Sequence, residues 1–253
     1  MRLRIQFAFR DPLFLPQSYQ RALQGMIYSA IDDEKVRFFL HEEGFLWKKR
    51  RFKPFVFSWM QGSFRMNSKG FLFDSPVHLY ISSCWEPFIQ ALSHSLLNRS
   101  CIVLHHQPVT IDEVDMLEEP EFGTETVVKT LSPVTMYSTL QTAEGRKVTH
   151  YYDVREKAFS DLIHKNLVKK AQTLYNLDLN QSSFSIEPVG KVKPTQQKRI
   201  YYKGFLIKAW HGTFRMRGDP TLQKVAYQVG AGGKNAQGFG MLDFVSSDGG
   251  TGE

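Results

Sequence analysis

The chain has 253 residues, 42% of them hydrophobic, which is enough for one large or two modest domains. Its 32 basic residues exceed its 25 acidic ones, and six of the acids lie within 111–121, so the rest of the chain carries a net charge of +13. This charge fits a polyanionic partner such as nucleic acid, although a solvated basic surface gives the same composition. Two cysteines, no long apolar run and no signal-peptide pattern predict a cytoplasmic protein without disulfides or a membrane span.

The first half of the chain alternates between strand and helix periods. Residues 2–9 alternate apolar and polar side chains, which predicts a half-buried strand, and 17–31 carry an apolar stripe at helical spacing with Tyr28 off the stripe. Further elements follow in chain order: helix 33–40, strand 52–59, a strand pair near 70–82, helix 85–99 and a strand from residue 101. The resulting order β-α-β-β-α-β is typical of a ferredoxin-like unit.

The acidic segment, residues 111–123, is predicted to connect this unit to a second one of the same kind. The elements predicted for the second unit are a strand from residue 126, helix 156–176, strands near 183–190 and 199–216, helix 220–229 and strand 241–245. We therefore predict an α+β fold with tandem ferredoxin-like (βαββαβ) domains packed side by side, at 1–122 and 123–246. Residues 247–253 are predicted to form a disordered tail.

A glycine-rich loop, VGAGGKNAQGFGM at 229–241, holds five glycines between Gly230 and Gly240. It follows a predicted helix and precedes a strand, the reverse of a dinucleotide-binding loop, so no nucleotide cofactor is predicted. A helix C-cap and turn would need only one glycine. Five glycines around Lys234 indicate close packing against a backbone or an RNA chain.

Two basic stretches interleave cations with aromatic rings, KKRRFK at 48–53 and KPTQQKRIYYK at 193–203. Bases stack on such rings while the cations meet phosphates, whereas an exposed loop with snorkelling side chains is the alternative. The predicted RNA contacts in these stretches are Lys48, Lys49, Arg50, Arg51, Lys198 and Arg199.

The histidines do not suggest a metal site. His105 and His106 are neighbours on a predicted strand, where they would point to opposite faces, and no HxH or HExxH occurs. His211 is predicted to be a strand residue with a structural or RNA-contacting role. His41 ends the second short helix, just before the basic stretch 48–53, and an imidazole there suits proton transfer near neutral pH.

Together these segments resemble the CRISPR-associated endoribonucleases that cut repeat RNA into guide RNAs, the sixth Cas family of the RAMP superfamily. The most specific match is the family hallmark G-x-G-x-K-N-x-x-G-F-G, found here from Gly230 to Gly240. The other matching motifs are LQGMIY at 23–28, LHEEG at 40–44, KPFVFS at 53–58, TLSPV at 130–134 and AWHGTFR at 209–215.

The resemblance implies two ferredoxin-like domains and metal-free cleavage, in which the RNA 2′-hydroxyl attacks the adjacent phosphorus to leave a 2′,3′-cyclic phosphate and a 5′-hydroxyl. It implies the catalytic residues Tyr28, His41 and Lys53, with His41 moving protons. Twelve positions separate His41 from Lys53, more than is usual in the family, so Lys48 and Lys49 compete for the role of the cation. Which of His41 and Tyr28 is the base stays open.

The resemblance also implies repeat RNA as the partner, bound by the glycine-rich loop between the two domains. The residues added to the RNA-binding prediction are His211, Arg215, Gly230, Gly232, Lys234, Gly238 and Gly240. Other Cas effector proteins and a homodimer are further partners found among relatives. Two rival interpretations are an RNA-binding subunit of an effector complex that does not cut, and a small-molecule enzyme that holds a nucleotide in the loop.

Overall fold

The computed structural model describes residues 1–202 and 204–245. Lys203 and the tail predicted to be disordered, 247–253, lie outside the described residues. Within the described part, no helix is both long and apolar enough to cross a bilayer, and no three or more His, Cys, Asp or Glu side chains cluster where they could hold a metal ion.

The first half contains ten strands and three helices. Their bounds are β1 Arg2–Ala8, β2 Leu13–Pro16, α1 Gln20–Ser29, α2 Glu34–Phe38, β3 Phe45–Trp47, β4 Arg50–Phe52, β5 Phe55–Phe57, β6 Phe64–Met66, β7 Gly70–Phe73, β8 Val77–Ser83, α3 Glu86–Leu97, β9 Cys101–Leu104 and β10 Gln107–Leu117. The main sheet has the order β5-β8-β1-β10-β9. The strands β1, β5, β8 and β10, with α1 and α3 between them, reproduce the antiparallel βαββαβ arrangement.

The described residues of the second half form eight strands and two α-helices. Their bounds are β11 Glu125–Thr130, β12 Tyr137–Gln141, β13 Lys147–Tyr151, α4 Lys157–Tyr175, β14 Phe184–Pro188, β15 Gln197–Tyr202, β16 Phe205–Trp210, β17 Thr213–Gly218, α5 Pro220–Val229 and β18 Leu242–Phe244. Its sheet has the order β14-β17-β11-β18, which is the same arrangement as in the first half. The predicted fold class, α+β with tandem ferredoxin-like units, is confirmed.

Each sheet buries its own apolar core against its helices. The first core includes Phe7 of β1, Ile27 of α1 and Phe88 of α3, and the second includes Phe159 of α4 and Met216 of β17. The alternation of apolar residues in β1 and the helical stripe in α1 are therefore explained by burial of one face of each element.

A buried arginine joins the two units. Arg2 of β1 is 2% exposed and donates hydrogen bonds to the carbonyl oxygens of Leu242 (2.8 Å) and Tyr227 (3.1 Å). Its guanidinium also lies 3.6 Å from the centre of the Tyr227 ring and 3.2 Å from the Asp243 carboxylate. Because a buried charge is costly without partners, these contacts tie the first strand of one unit firmly to the last strand of the other.

The acidic segment was wrongly predicted as a connection, because most of it is strand. β10 runs to Leu117 and pairs with β1 from Thr110 to its end, and Arg4 on β1 contacts the carboxylate of Asp115 at 2.6 Å. Val114, which pairs with Ile5, packs against the first core, whereas Met116 near the end of the strand is 53% exposed.

Two smaller predictions were also wrong. His105 and His106 do not lie on a strand but form the two-residue turn between β9 and β10, with φ values of 48° and 64° and ring centres 5.6 Å apart. The segment predicted as strand 199–216 is divided between the hairpin β15–β16 and the sheet strand β17.

Candidate active site

Tyr28 lies on α1, the helix between the first two sheet strands. The helix buries Leu23, Met26 and Ile27 in the core and leaves Tyr28 half-buried at the edge. The Tyr28 hydroxyl donates a weak hydrogen bond to the carbonyl oxygen of Leu40, at 3.4 Å. Burial raises the pKa of Tyr28 to about 12, so its phenol is neutral at physiological pH.

His41 lies on a π-helical turn, Phe39–Glu43, that continues directly from α2. Leu40 is buried and anchors the turn, while the His41 side chain is 64% exposed. The His41 ring meets the Tyr28 ring edge-on, with 5.2 Å between their centres. The His41 Nδ1 lies 2.5 Å from the Glu42 carboxylate, which leaves Nε2 as the ring nitrogen open to a substrate.

Lys53 follows the hairpin β3–β4 and lies next to the π-helical turn that carries His41. β3 and β4 pair antiparallel, so the chain returns to the π-helical turn after residue 52. The Lys53 ammonium donates a 2.8 Å hydrogen bond to the carbonyl oxygen of His41. Burial lowers the pKa of Lys53, an effect that the Glu42 carboxylate opposes.

Gly44 allows this close approach. Its φ is 66°, and a Cβ there would stand 2.7 Å from the carbonyl oxygen of Phe52 and 3.1 Å from the Lys53 side chain. Only glycine fits such a position without strain.

The competing lysines lie elsewhere. Lys48 and Lys49 form the exposed turn of the hairpin, and the Lys48 amine sits 5.0 Å from the centre of the Trp47 ring. Of the three lysines considered, Lys53 is the one that contacts the turn carrying His41. Tyr28, His41 and Lys53 are thus brought together although 25 residues separate the first from the last.

Beside this group lies a cleft of about 650 Å³ between the two units, here called the basic cleft. The cationic side chains that line it are Arg50, Arg51, Lys53, Lys165, Lys169, Lys170 and Lys234. No carboxylate is among the described residues that line it. Positive charge without counter-charge in a concave, low-dielectric surface attracts polyanions.

The C-terminal half matches the family model described as "CRISPR associated protein Cas6, C-terminal" over residues 117–244. The CRISPR-associated endoribonuclease Cas6 of Pyrococcus furiosus is 32% identical over 236 residues, which cover 90% of this chain and 83% of that protein. The chain belongs to the Cas6 family. CRISPR-associated endoribonuclease Cas6 1 of Methanocaldococcus jannaschii is 27% identical over 249 residues, covering 96% and 92% of the two chains.

Solved structures agree with this assignment. A structure described as "CRISPR associated protein Cas6" is 25% identical and matches with a TM-score of 0.79, over 97% of this chain and 99% of its own. A second, described as "Characterization of a Cas6-related gene from Pyrococcus furiosus", has a TM-score of 0.83 at 20% identity, over 98% and 99%.

The Cas6 hallmark glycines serve the protein's own packing. Gly230, Gly232, Gly238 and Gly240 are buried, and all four have a positive φ. A Cβ at Gly232 would overlap the carbonyl oxygen of Thr135, and one at Gly238 would lie 2.8 Å from the Phe57 ring. Gly230, Gly238 and Gly240 do not line the basic cleft, and their burial speaks against an approach of RNA to their backbone. Gly232 does line the cleft, and its contact with RNA stays a prediction.

The rim of the loop does face the basic cleft. Gly233 and Lys234 are half-exposed and line it, and the Lys234 amine lies 5.0 Å from the centre of the Tyr137 ring. Lys234 is thus the hallmark residue placed where it can meet a phosphate.

Lys170 of α4 was not predicted as a site residue, yet it holds the glycine-rich loop in place. It is 3% exposed, and its amine donates to the carbonyl oxygens of Gly230 (2.6 Å) and Gly232 (3.2 Å) and to the Asn235 side chain (2.8 Å). Three donors therefore meet three acceptors. One signal was available, because Lys170 falls on the apolar stripe of α4 between Leu167 and Ala171.

The remaining predicted RNA contacts do not line the basic cleft. His211 is not a strand residue but lies between β16 and β17, where its Nδ1 is 2.7 Å from the Thr130 hydroxyl. Burial lowers the pKa of His211 to about 4, so it is neutral and acts as a structural tie. Arg215 is ion-paired with Glu125 at 3.1 Å on the outer face of the second sheet.

Lys198 and Arg199 lie on the hairpin β15–β16. Arg199 is exposed there, two residues before the exposed Tyr201. Tyr202, in contrast, is buried and donates a 2.5 Å hydrogen bond to Gln24 on α1, which fixes the hairpin beside the helix that carries Tyr28.

Proposed function

We propose that this chain is a metal-independent endoribonuclease that cleaves CRISPR repeat RNA to generate guide RNAs. Its membership in the Cas6 family and its relatives named as endoribonucleases support this function. The observation that carries the proposal for this chain is the contact of Lys53 with the turn of His41, next to Tyr28 and at the mouth of the basic cleft.

In the proposed reaction the ribose 2′-oxygen attacks the adjacent phosphorus, forming the O2′–P bond and breaking the P–O5′ bond. The open Nε2 of His41 accepts the 2′-proton. The neutral phenol of Tyr28 suits it to donate to the leaving 5′-oxygen, since a group with a pKa of about 12 is a poor base at neutral pH. The products are a 2′,3′-cyclic phosphate and a 5′-hydroxyl.

Lys53 is proposed to stabilise the charge that develops on the non-bridging phosphate oxygens. Its ammonium has three N–H donors, and one of them is used on the His41 carbonyl. Two donors remain for the phosphate. Such a fixed cation acts where charge appears in the transition state, which is the main source of catalysis in metal-free phosphate chemistry.

The basic cleft is proposed to bind the RNA strand away from the cut. Without the buried Lys170, six of its cations remain to meet phosphates, Lys53 at the cut and the other five away from it. If each replaced one counterion on single-stranded RNA, the logarithm of affinity would fall with the logarithm of salt concentration with a slope of about −4. A slope near zero would count against this cleft as the RNA site.

The test is incubation of purified protein with a synthetic repeat RNA from the host CRISPR array in EDTA. We expect cutting in EDTA, and a His41→Ala variant that binds the RNA but cuts it at least about 100-fold more slowly. His94→Ala is the matched control, because His94 is an exposed histidine on α3. RNA that is bound but not cut by the unmodified chain would instead support an RNA-binding subunit.

A further inference from the structure

An unexplained glycine lies in the middle of the helix that carries Tyr28. Gly25 is the sixth of ten residues in α1 and is exposed. Apart from proline, glycine is the least favourable residue in the interior of a helix, because it loses most backbone freedom on folding. A glycine at this position therefore calls for a compensating reason.

The protein's own packing provides no such reason. Nothing outside the local helix backbone lies within 4 Å of the place where a Cβ of Gly25 would stand. This differs from Gly44 and Gly232, where neighbouring carbonyl oxygens and a positive φ require glycine. The backbone of Gly25 is helical, so an alanine would fit it without strain.

The position of Gly25 points to the substrate instead. Gly25 is one turn before Tyr28, and Gly25, Tyr28 and His41 line the same surface depression. Arg21, one turn earlier on the same side of α1, is exposed and adds a cation to this face. An RNA strand that follows the surface of α1 from Arg21 would cross Gly25 immediately before it reaches Tyr28 and His41.

We propose that Gly25 is the place where the sugar-phosphate backbone of the RNA, next to the scissile phosphate, packs directly on α1. A missing Cβ lets the strand lie against the helix backbone and brings the scissile phosphate within reach of His41 and Tyr28. Arg21 receives the neighbouring phosphate. This inference rests on the proposed ribonuclease function and assigns Gly25 as a substrate-positioning residue.

The experiment compares Gly25→Ala and Gly25→Leu with the unmodified chain, using the same synthetic repeat RNA under single-turnover conditions. Both residues are better helix formers than glycine, so the Tm of Gly25→Ala should rise by about 1–4 °C. Cleavage should nevertheless slow by at least about tenfold for alanine and further for leucine. Loss of rate in a more stable protein cannot come from damage to the fold.

Ser93→Ala on α3 is the control for helix stabilisation alone, since Ser93 lines neither the depression nor the basic cleft. It should cleave at the unmodified rate. Variants at Gly25 that cleave normally would overturn the inference, and so would a Gly25→Ala variant that loses stability together with activity.

Failure of the proposed function is distinguishable from failure of this inference. If the unmodified chain binds repeat RNA without cutting it, the ribonuclease proposal fails. The affinity of Gly25→Leu for the RNA then tests whether the RNA packs on α1 at Gly25. Weaker binding by Gly25→Leu would support the contact with α1, and equal binding would overturn it.

Discussion

The buried amine of Lys170 makes a quantitative prediction about stability. Burial lowers the pKa of Lys170 to about 7, whereas a lysine in an unfolded chain has a pKa of about 10.4. Between these two values the unfolded state binds a proton that the folded state lacks. The free energy of unfolding should therefore rise with pH, by about 1.4 kcal/mol per pH unit from this residue alone.

From about pH 7 to about pH 9.5 the gain is at most about 3 kcal/mol. The three hydrogen bonds from the amine to the glycine-rich loop and Asn235 favour the charged form and reduce this value. Cys84 acts in the opposite direction, because burial raises its pKa to about 11 and the unfolded thiol ionises first. The contribution of Lys170 must therefore be measured as a difference between variants that share Cys84.

Urea unfolding of the unmodified chain and of Lys170→Met, at several pH values between about 7 and about 9.5, supplies this difference. As pH rises, we expect the free energy of unfolding of the unmodified chain to increase relative to that of Lys170→Met. Lys169→Met is the matched control, since Lys169 is the half-buried neighbour that faces Trp47, and it should show a weaker dependence. A constant or falling difference would refute the argument that burial dominates at Lys170.

Three further outcomes are expected. Glu42→Gln should slow cleavage about fivefold to tenfold under single turnover, because its carboxylate fixes the orientation of the His41 ring, whereas Glu43→Gln should not. Lys53→Met should lose at least about 100-fold in rate and Lys53→Arg less, since arginine keeps the charge and donors; equal losses would argue against a charge role. Gly232→Ala should lower the free energy of unfolding by about 2–4 kcal/mol in urea titrations, and Gly190→Ala, with a positive φ but open space, by only about 1 kcal/mol.

The regular parts of the fold could be predicted because their apolar residues repeat with the period of a strand or a helix. β1 and α1 are examples, and both sheets follow from the order of such elements. The acidic part of β10, residues 111–117, was missed because carboxylates between its apolar residues resemble a solvated connection. The division of the chain at residue 122 stays a prediction.

The parts that could not be predicted depend on contacts distant in sequence. The hairpins β3–β4 and β12–β13 have exposed strands whose residues carry little apolar periodicity. A turn at His105 and His106 needs two positive φ values, for which asparagine and glycine are the usual signals. The apolar stripe of α4 indicates that Lys170 is buried, but the carbonyl oxygens that accept its hydrogen bonds lie about 60 residues away in the glycine-rich loop.

The candidate site was predicted in identity but not in arrangement. The resemblance named Tyr28, His41 and Lys53, and their roles remain proposals. The contact between His41 and Lys53 could not be predicted from their residue types, because Lys53 donates its hydrogen bond to the backbone carbonyl of His41 rather than to a side chain.

That backbone contact has a wider consequence for how the chain can vary. The segment 45–52 leaves the π-helical turn and returns to it, and its returning end is held there by two hydrogen bonds, from Lys53 to the carbonyl of His41 and from Arg51 to the carbonyl of Glu43 at 3.0 Å. The exposed turn of the hairpin, Lys48 and Lys49, makes neither of these two contacts. Substitutions at that turn should therefore leave Lys53 beside His41, because both hydrogen bonds that hold the hairpin in place lie on its returning strand.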